Sequence, residues 1–384
     1  MHYLPRKLPR TIVAGAVTLA SAGLVPAVAS AHSSHAGYVY VDDNTTGTNS
    51  VAAFAEGARG KLTPVAGSPF KAGGAGTGTG LASQGSIQVA SNGRYVLAVD
   101  AGSNQISVLR IARDGALELA DVVSSGGTRP VSIAEHDGLV YVANAGNAGA
   151  GGENYTGFTL GAGGQLRPMA DSTVPLPDGA QPGDVLFNST GSNLVGTRVG
   201  SSQIDSFSVD ADGRLAAAPG SPYAAQAAGP FASEFRPTDP SQLFVSNAHA
   251  GAGNGTVSAF SVAADGTLSS IGDSPFADNQ TAPCWVEITH DGQYLFTVNT
   301  MSGSISSYSI AGDGTLTLLG STPVGSQSGI VPVDARLSAD GQTLYVDESA
   351  APAIGEFDVD GGQLTAQGSV SLPAGATPAG LAVK

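Results

Sequence analysis

A short apolar, β-branched run that closes mostly on Asp or Asn returns seven times along the chain. The copies are YVYVDD (38–43), YVLAVD (95–100), LVYVAN (139–144), NLVGTR (193–198), QLFVSN (242–247), YLFTVN (294–299) and TLYVDE (343–348). Their starts are spaced by 57, 44, 54, 49, 52 and 49 residues. A repeat of this length is one supersecondary unit that buries its apolar face only against a neighbouring copy. The sequence therefore predicts an array of like units around a shared core.

Each unit reads as four short strands, most clearly in the sixth. Strand a runs from Cys284 to Ile288, and His290-Asp291-Gly292 turns the chain into strand b, Tyr294 to Asn299. Strand c follows from Ser304 to Ile310, and Gly312-Asp313-Gly314 leads into strand d at Thr315-Leu316. Asp-Gly between alternating runs is a hairpin signal, because Gly takes positive φ without a Cβ clash. The c–d turn recurs at Asp114-Gly115, Asp212-Gly213 and Asp265-Gly266, each followed two residues on by Leu. A second piece, Ser68-Pro69-Phe70, Ser221-Pro222-Tyr223 and Ser274-Pro275-Phe276, is read as the connection to the next unit.

Strand a opens at Pro130, Pro182, Pro230, Pro283 and Pro332, with Gln84-Gly85-Ser86 in the equivalent place of the second unit. The first unit has no strand a before Tyr38. The chain instead ends on Thr377-Pro378-Ala379-Gly380-Leu381-Ala382-Val383, a strand a with nothing after it. Joining that strand to the first unit seals the edges an open array would expose. The expectation is an all-β, seven-bladed β-propeller of four-stranded antiparallel blades, closed by the C-terminal strand joining the N-terminal blade. A solenoid, the alternative, needs polar capping repeats that the chain lacks.

Residues 1–31 read as a signal peptide: Arg6, Lys7 and Arg10, an apolar stretch, then the small-x-small site Ala29-Ser30-Ala31. The propeller domain is then 32–384, secreted or extracytoplasmic, with no membrane span after cleavage. The formal charge of −15 becomes −18 once the three basic residues leave with the leader. Such a surface repels phosphate backbones and anionic lipid, so nucleic acid is excluded as a partner. Cys284 is the only cysteine, so no internal disulfide forms, and its apolar strand predicts a buried inert thiol. No spacing points to a metal or other cofactor, and the chain is expected to be a monomer.

The inner-strand pattern Pro-x-x-apolar-x-apolar-x-x-Asp-Gly, as in Pro332 to Gly341, joins the Tyr-Val-Ala-Asn type of strand b and the Asp-Gly-x-Leu hairpin. Over residues 38 to 384 these motifs resemble the lactonase-type propellers, the group of 6-phosphogluconolactonase-like and carboxymuconate-cyclase-like proteins. Val140 to Asn144 is also similar to the surface-associated Tyr-Val-Thr-Asn repeat propellers, whose members are often not enzymes. The first resemblance implies inner-strand His, Arg and Glu around the central pocket, with histidine two residues after the proline. That column here reads Ser86, Ser132, Asp184, Ala232, Trp285, Asp334 and Gly380, without a histidine.

The column four residues after the proline shares that strand face and reads Gln88, Ala134, Leu186, Glu234, Glu287, Arg336 and Ala382. Glu234, Glu287 and Arg336 are the catalytic candidates: a carboxyl of raised pKa for proton transfer and a guanidinium for a carboxylate or carbonyl. Asp184, Asp334 and Arg236, one step further along the face, are ligand-binding candidates. So is His249, on the Gly-rich loop 249–255. The alternative is a channel whose charges only pair with one another. The Gly-rich insertion Gly146 to Gly152 is a lid candidate or a plain loop, and Gly73 to Gly85 reads as a long inter-blade loop. Two functions remain open: a secreted lactonase-like enzyme for a small cyclic ester or carboxylated sugar derivative, and a non-catalytic propeller binding a glycan, small ligand or surface protein.

Overall fold

The alternation of buried and turn-forming residues folds into seven antiparallel sheets arranged as blades around an axis. The computed structural model describes residues 1–2, 37–147, 149–325 and 331–384. Apart from Met1 and His2, the leader expected over 1–31 lies outside the described residues. Among the described residues no helix is long and apolar enough to cross a membrane.

The innermost strands are Gly380–Val383, Ile87–Val89, Pro130–His136, Pro182–Phe187, Pro230–Arg236, Pro283–Ile288 and Pro332–Leu337, for blades 1 to 7 in turn. Outside each lies a strand b buried on both faces; every residue of Tyr95–Asp100, Asn193–Arg198 and Thr343–Glu348 is buried. A Val, Leu or Phe fully withdrawn from water contributes roughly 1.5–3 kcal/mol each, so these strands carry the core. The ring closes as the pattern predicts. Gly380–Val383 pairs antiparallel with Tyr38–Asp42, with Tyr40 opposite Ala382 and Val41 opposite Leu381.

A repeated clamp ties blade to blade. The strand b phenols of Tyr40, Tyr95 and Tyr141 donate to the carbonyls of Gly115, Ala162 and Gly213 in the c–d turn of the next blade. Tyr345 does the same from blade 7 to Gly60 of blade 1, at 2.8 Å. Gly115 must be glycine on two counts: its φ is +81°, and a Cβ there would fall 2.2 Å from the Tyr38 ring.

Two readings change in detail. The Ser-Pro-aromatic piece is not the crossover; it is a break inside the outer strand. In blades 1, 4 and 5 both short pieces, such as Leu62–Pro64 and Phe70–Lys71, pair with strand c. Across the break the Ser68, Ser221 and Ser274 hydroxyls accept the N–H groups of Ala53, Ser206 and Ala259. Ser172 does this for Gly157 in blade 3. A serine oxygen thus replaces the strand carbonyl that the kink removes. Second, the Gly146 to Gly152 insertion extends a hairpin. Leu139–Asn147 pairs with Gly151–Leu160 as far as Asn147 opposite Gly151.

Candidate functional site

The inner strands carry the candidates, and a bulge sets how they point. In blades 3 to 7 the register with strand b shifts just after the leading proline. Such a bulge re-aims the side chains beside it. In blade 7 the shift falls between Val333 and Ala335, so Asp334 stands unpaired and turns to blade 1, where its Oδ2 accepts the Leu381 N–H at 3.0 Å. Asp184 of blade 4 ties three blades: its carboxylate accepts the Ser132 hydroxyl, the Ser233 N–H at 2.9 Å and the Ser233 hydroxyl at 2.6 Å.

Five of the seven site candidates come together. Arg336 stands among Asp334, Glu287, Glu234 and Asp184, whose charges all favour its cationic form. Its Nη1 donates to Asp334 Oδ1 at 3.1 Å, to the Ala335 carbonyl at 2.8 Å and to Glu287 Oε2 at 3.5 Å. Glu287 Oε1 accepts the Leu337 N–H at 2.9 Å. The Arg336 and Glu287 side chains keep 16% and 12% of their surface open, so they line space rather than fill it.

Burial lifts every carboxyl of this group. Glu287 is pushed up to about 7, with Arg336 and the Leu337 N–H pulling back. Asp184 rises to about 6 for the same reason, against the Ser233 hydrogen bonds. Asp334 is raised by burial with Arg336 opposing. Glu234 stands well above the usual carboxylate range, through burial first and the Glu287 charge second. Two carboxyls that share one field titrate as a pair, and this pair holds a proton near neutral pH. Among the described residues the Glu234 carboxyl has no hydrogen-bond partner in the protein, and neither do Nε and Nη2 of Arg336.

The other two candidates lie elsewhere. Arg236 does not face the cluster. A second register shift at Phe235/Arg236 turns it outward, and its guanidinium donates to Gly292 O, Gln242 Oε1 and Ala311 O, each at 2.8–2.9 Å. It joins blade 5 to blade 6. His249 is exposed and lines a separate cavity of about 240 Å³ at the mouth, the end where the inner strands begin. Cys284 is buried, as its strand predicts, and burial pushes its thiol up to about 11.

Between mouth and cluster lies a plug that the sequence reading did not foresee. The end of the Gly73 to Gly85 loop crosses the channel from blade 2 to blades 3 through 6. Ser83 Oγ donates to Val131 O, and Gly85 O accepts from Ile133 N. Gln84 N donates to Gly183 O. The Gln84 side chain donates to Ser233 O at 3.1 Å and accepts from Val286 N at 3.1 Å. These partners sit one residue before Glu234 and Glu287, so the plug covers the cluster from the mouth side. Leu81, a lone large apolar residue in a Gly-rich loop and buried here, is the one sequence signal that this loop packs inward.

The family described as "Lactonase, 7-bladed beta-propeller" matches residues 30–149 and 193–382. The chain belongs to this lactonase family. Solved structures agree on the fold. A candidate 6-phosphogluconolactonase from Bacteroides uniformis aligns with TM-score 0.73 at 19% identity, over 91% of this chain and 99% of that one. The Pseudomonas aeruginosa periplasmic gluconolactonase aligns with TM-score 0.71 at 16% identity, over 90% and 98%. A candidate 6-phosphogluconolactonase from Bacteroides fragilis aligns at 0.69 and 21%, over 91% and 98%. No curated protein matches the sequence. This lactonase propeller holds a carboxyl–guanidinium cluster on its inner strands, while the column two residues after the proline, where the resemblance implies histidine, carries none.

Proposed function

We propose that this chain is an extracytoplasmic lactonase-like protein that opens a small cyclic ester, or a carboxylated sugar derivative in lactone form, at the Glu234–Glu287–Arg336 cluster. One observation carries the reading: the Glu234 carboxyl, which has no protein hydrogen bond among the described residues, and the unused Nε and Nη2 of Arg336 belong to one cluster on the inner strands. Arg336 would hold the ester carbonyl oxygen and stabilise the negative charge that grows on it. The ionised member of the carboxyl pair takes a proton from water, whose oxygen bonds to the carbonyl carbon. The ring C–O bond then breaks, and the neutral carboxyl gives its proton to the leaving alkoxide oxygen. The family membership and the periplasmic gluconolactonase neighbour support the substrate class and the location.

The test is proton release in a pH-stat over a panel of five- and six-membered sugar lactones. The parent is expected to exceed the no-protein rate, with Glu234→Gln and Arg336→Ala at background. Equal background rates in all three remove the enzyme reading for that panel. The plug favours a second reading, since it bars the cluster from the mouth: a propeller that binds without catalysis. Glycan-array and thermal-shift screens test it, and blank results in both leave it unsupported.

A further inference from the structure

The residues four places after the inner-strand proline form one level of the channel. Each stands opposite the third residue of its strand b repeat, from Ala382 opposite Tyr40 and Gln88 opposite Leu97 to Arg336 opposite Tyr345. Blades 5, 6 and 7 supply Glu234, Glu287 and Arg336. The facing arc is made by Ala382, Gln88, Ala134 and Leu186 of blades 1 to 4. Gln88 is half-buried and its amide makes no hydrogen bond to the protein among the described residues, yet neither of its polar atoms is closed to water. A Cβ on Gly85 would fall 3.2 Å from Gln88 Nε2 and 3.0 Å from Ser132 Oγ, which places the amide on the channel side beneath the plug. The level nearer the mouth is shut, with Ser86, Ser132, Ala232 and Asp334 fully buried. The open atoms therefore lie on the side away from the plug.

The facing arc is low as well as polar. Only the methyl groups of Ala382 and Ala134 flank Gln88, and the half-buried Leu186 gives an apolar wall beside them. A primary amide both donates and accepts, so it suits hydroxyl groups that do the same. Charge narrows the ligand further. Arg236 is turned away, so one guanidinium meets four carboxyls here, and one shared proton leaves the group net negative. A second negative charge brought into such a site is strongly disfavoured. We propose that Gln88 is the specificity-determining residue of this site: it holds the hydroxyls of an uncharged, hydroxylated ring whose carbonyl end lies on Arg336 and Glu234, and the site rejects the anionic counterpart. This rests on the cluster being the ligand site, as proposed above, but not on turnover.

Calorimetric titration of the full chain tests it with D-glucono-δ-lactam, an uncharged ring that resists hydrolysis. The comparison ligands are δ-valerolactam, which lacks hydroxyls, and D-glucaro-1,4-lactone, which carries a carboxylate. The expected result is saturable one-to-one binding of the gluconolactam, with the other two weaker by about tenfold or more. Gln88→Leu loses no hydrogen bond to the protein, so it should keep the parent melting temperature. It should weaken the gluconolactam about three- to tenfold and leave δ-valerolactam unchanged. Gln88→Asn, which keeps the amide but draws it back, should fall between parent and leucine. Parent affinity for the gluconolactam in both variants overturns the proposal. So does the carboxylate lactone binding as tightly as the gluconolactam, or no heat from the gluconolactam at all. Binding that depends on Gln88 without any lactone turnover supports this inference and removes only the enzyme reading.

Discussion

The indole N–H of Trp285 donates to the carbonyl of Ser83, 2.9 Å away and 202 positions earlier in the chain. Trp285 occupies a column whose other members are mostly small or acidic, and its ring packs edge-on against Phe231 at 5.0 Å. Together they fix the plug to the wall opposite its origin.

The plug is therefore structural as well as obstructive. Gln84→Ala leaves Ser233 O and Val286 N without their partner inside the channel. Each buried group left unpaired costs about 1–3 kcal/mol, so the urea midpoint should drop clearly. Gln84→Glu adds a buried carboxyl beside Glu234 and Glu287 and should be at least as destabilising as alanine at pH 8, recovering towards the parent at pH 5, where the protonated carboxyl donates to Ser233 O. A change in Gln84→Ala below about 0.5 kcal/mol would show that water replaces the side chain at no cost.

Stability should fall as pH rises. Asp43 and Glu287 are pushed up to about 7, and Asp184 and Asp278 to about 6, mainly by burial. An unfolded carboxyl titrates near 4. Between these values the folded chain holds more protons than the unfolded one, so each group's contribution is full below about pH 4 and is lost as pH climbs through about 6–7. Melting temperatures are expected to be higher at pH 5 than at pH 8. Asp43→Asn should flatten that slope. A melting temperature that rises across the interval contradicts the assignment.

Arg336 is the cation that compensates four carboxyls. Removing it leaves them facing one another, and breaking a buried charge cluster this way costs about 3–5 kcal/mol. Arg336→Met should show that loss at pH 8 and much less of it at pH 5, where the carboxyls are protonated. A loss independent of pH would assign Arg336 a packing role instead. Arg236→Met, whose partners are mainly backbone carbonyls, should cost stability equally at both pH values.

Closure is testable at two strengths. Tyr345→Phe removes the phenol that donates to Gly60 and stands beside the Glu56 carboxyl, and should cost about 1 kcal/mol, since the ring stays packed. Deleting residues 380–384 strips blade 1 of its innermost strand and should abolish the cooperative thermal transition. A truncated chain that still melts in one sharp step would mean that the ring does not need its C-terminal strand.

The repeat made the fold legible because strand b, the Asp-Gly turn and the inner-strand proline are local signals that recur. Closure was legible from one surplus strand at the end. The column four residues after the proline was legible too, since alternation holds on the far side of the bulge, and it brought Glu234, Glu287 and Arg336 together. The bulges themselves left no mark, and one of them sent Arg236 to the blade interface. The Ser-Pro breaks were visible as motifs, but their role depends on an oxygen reaching strand c. The plug was hidden because its hydrogen bonds run to residues 48 to 202 positions away.

The broken outer strands have a bearing on how this wheel meets other molecules. On blades 1, 3, 4 and 5 the circumference offers no strand piece longer than three residues, too short to template another chain. Unbroken rims run only along Leu117–Ser124, Leu316–Pro323 and Gln363–Ser371, and each of these carries a bulge against strand c. Leu119 and Leu319, the two leucines most open to water among the described residues, sit on two of them. Fibre-like stacking of one copy on the next is thus blunted around most of the perimeter, and what adhesiveness remains is confined to blades 2, 6 and 7.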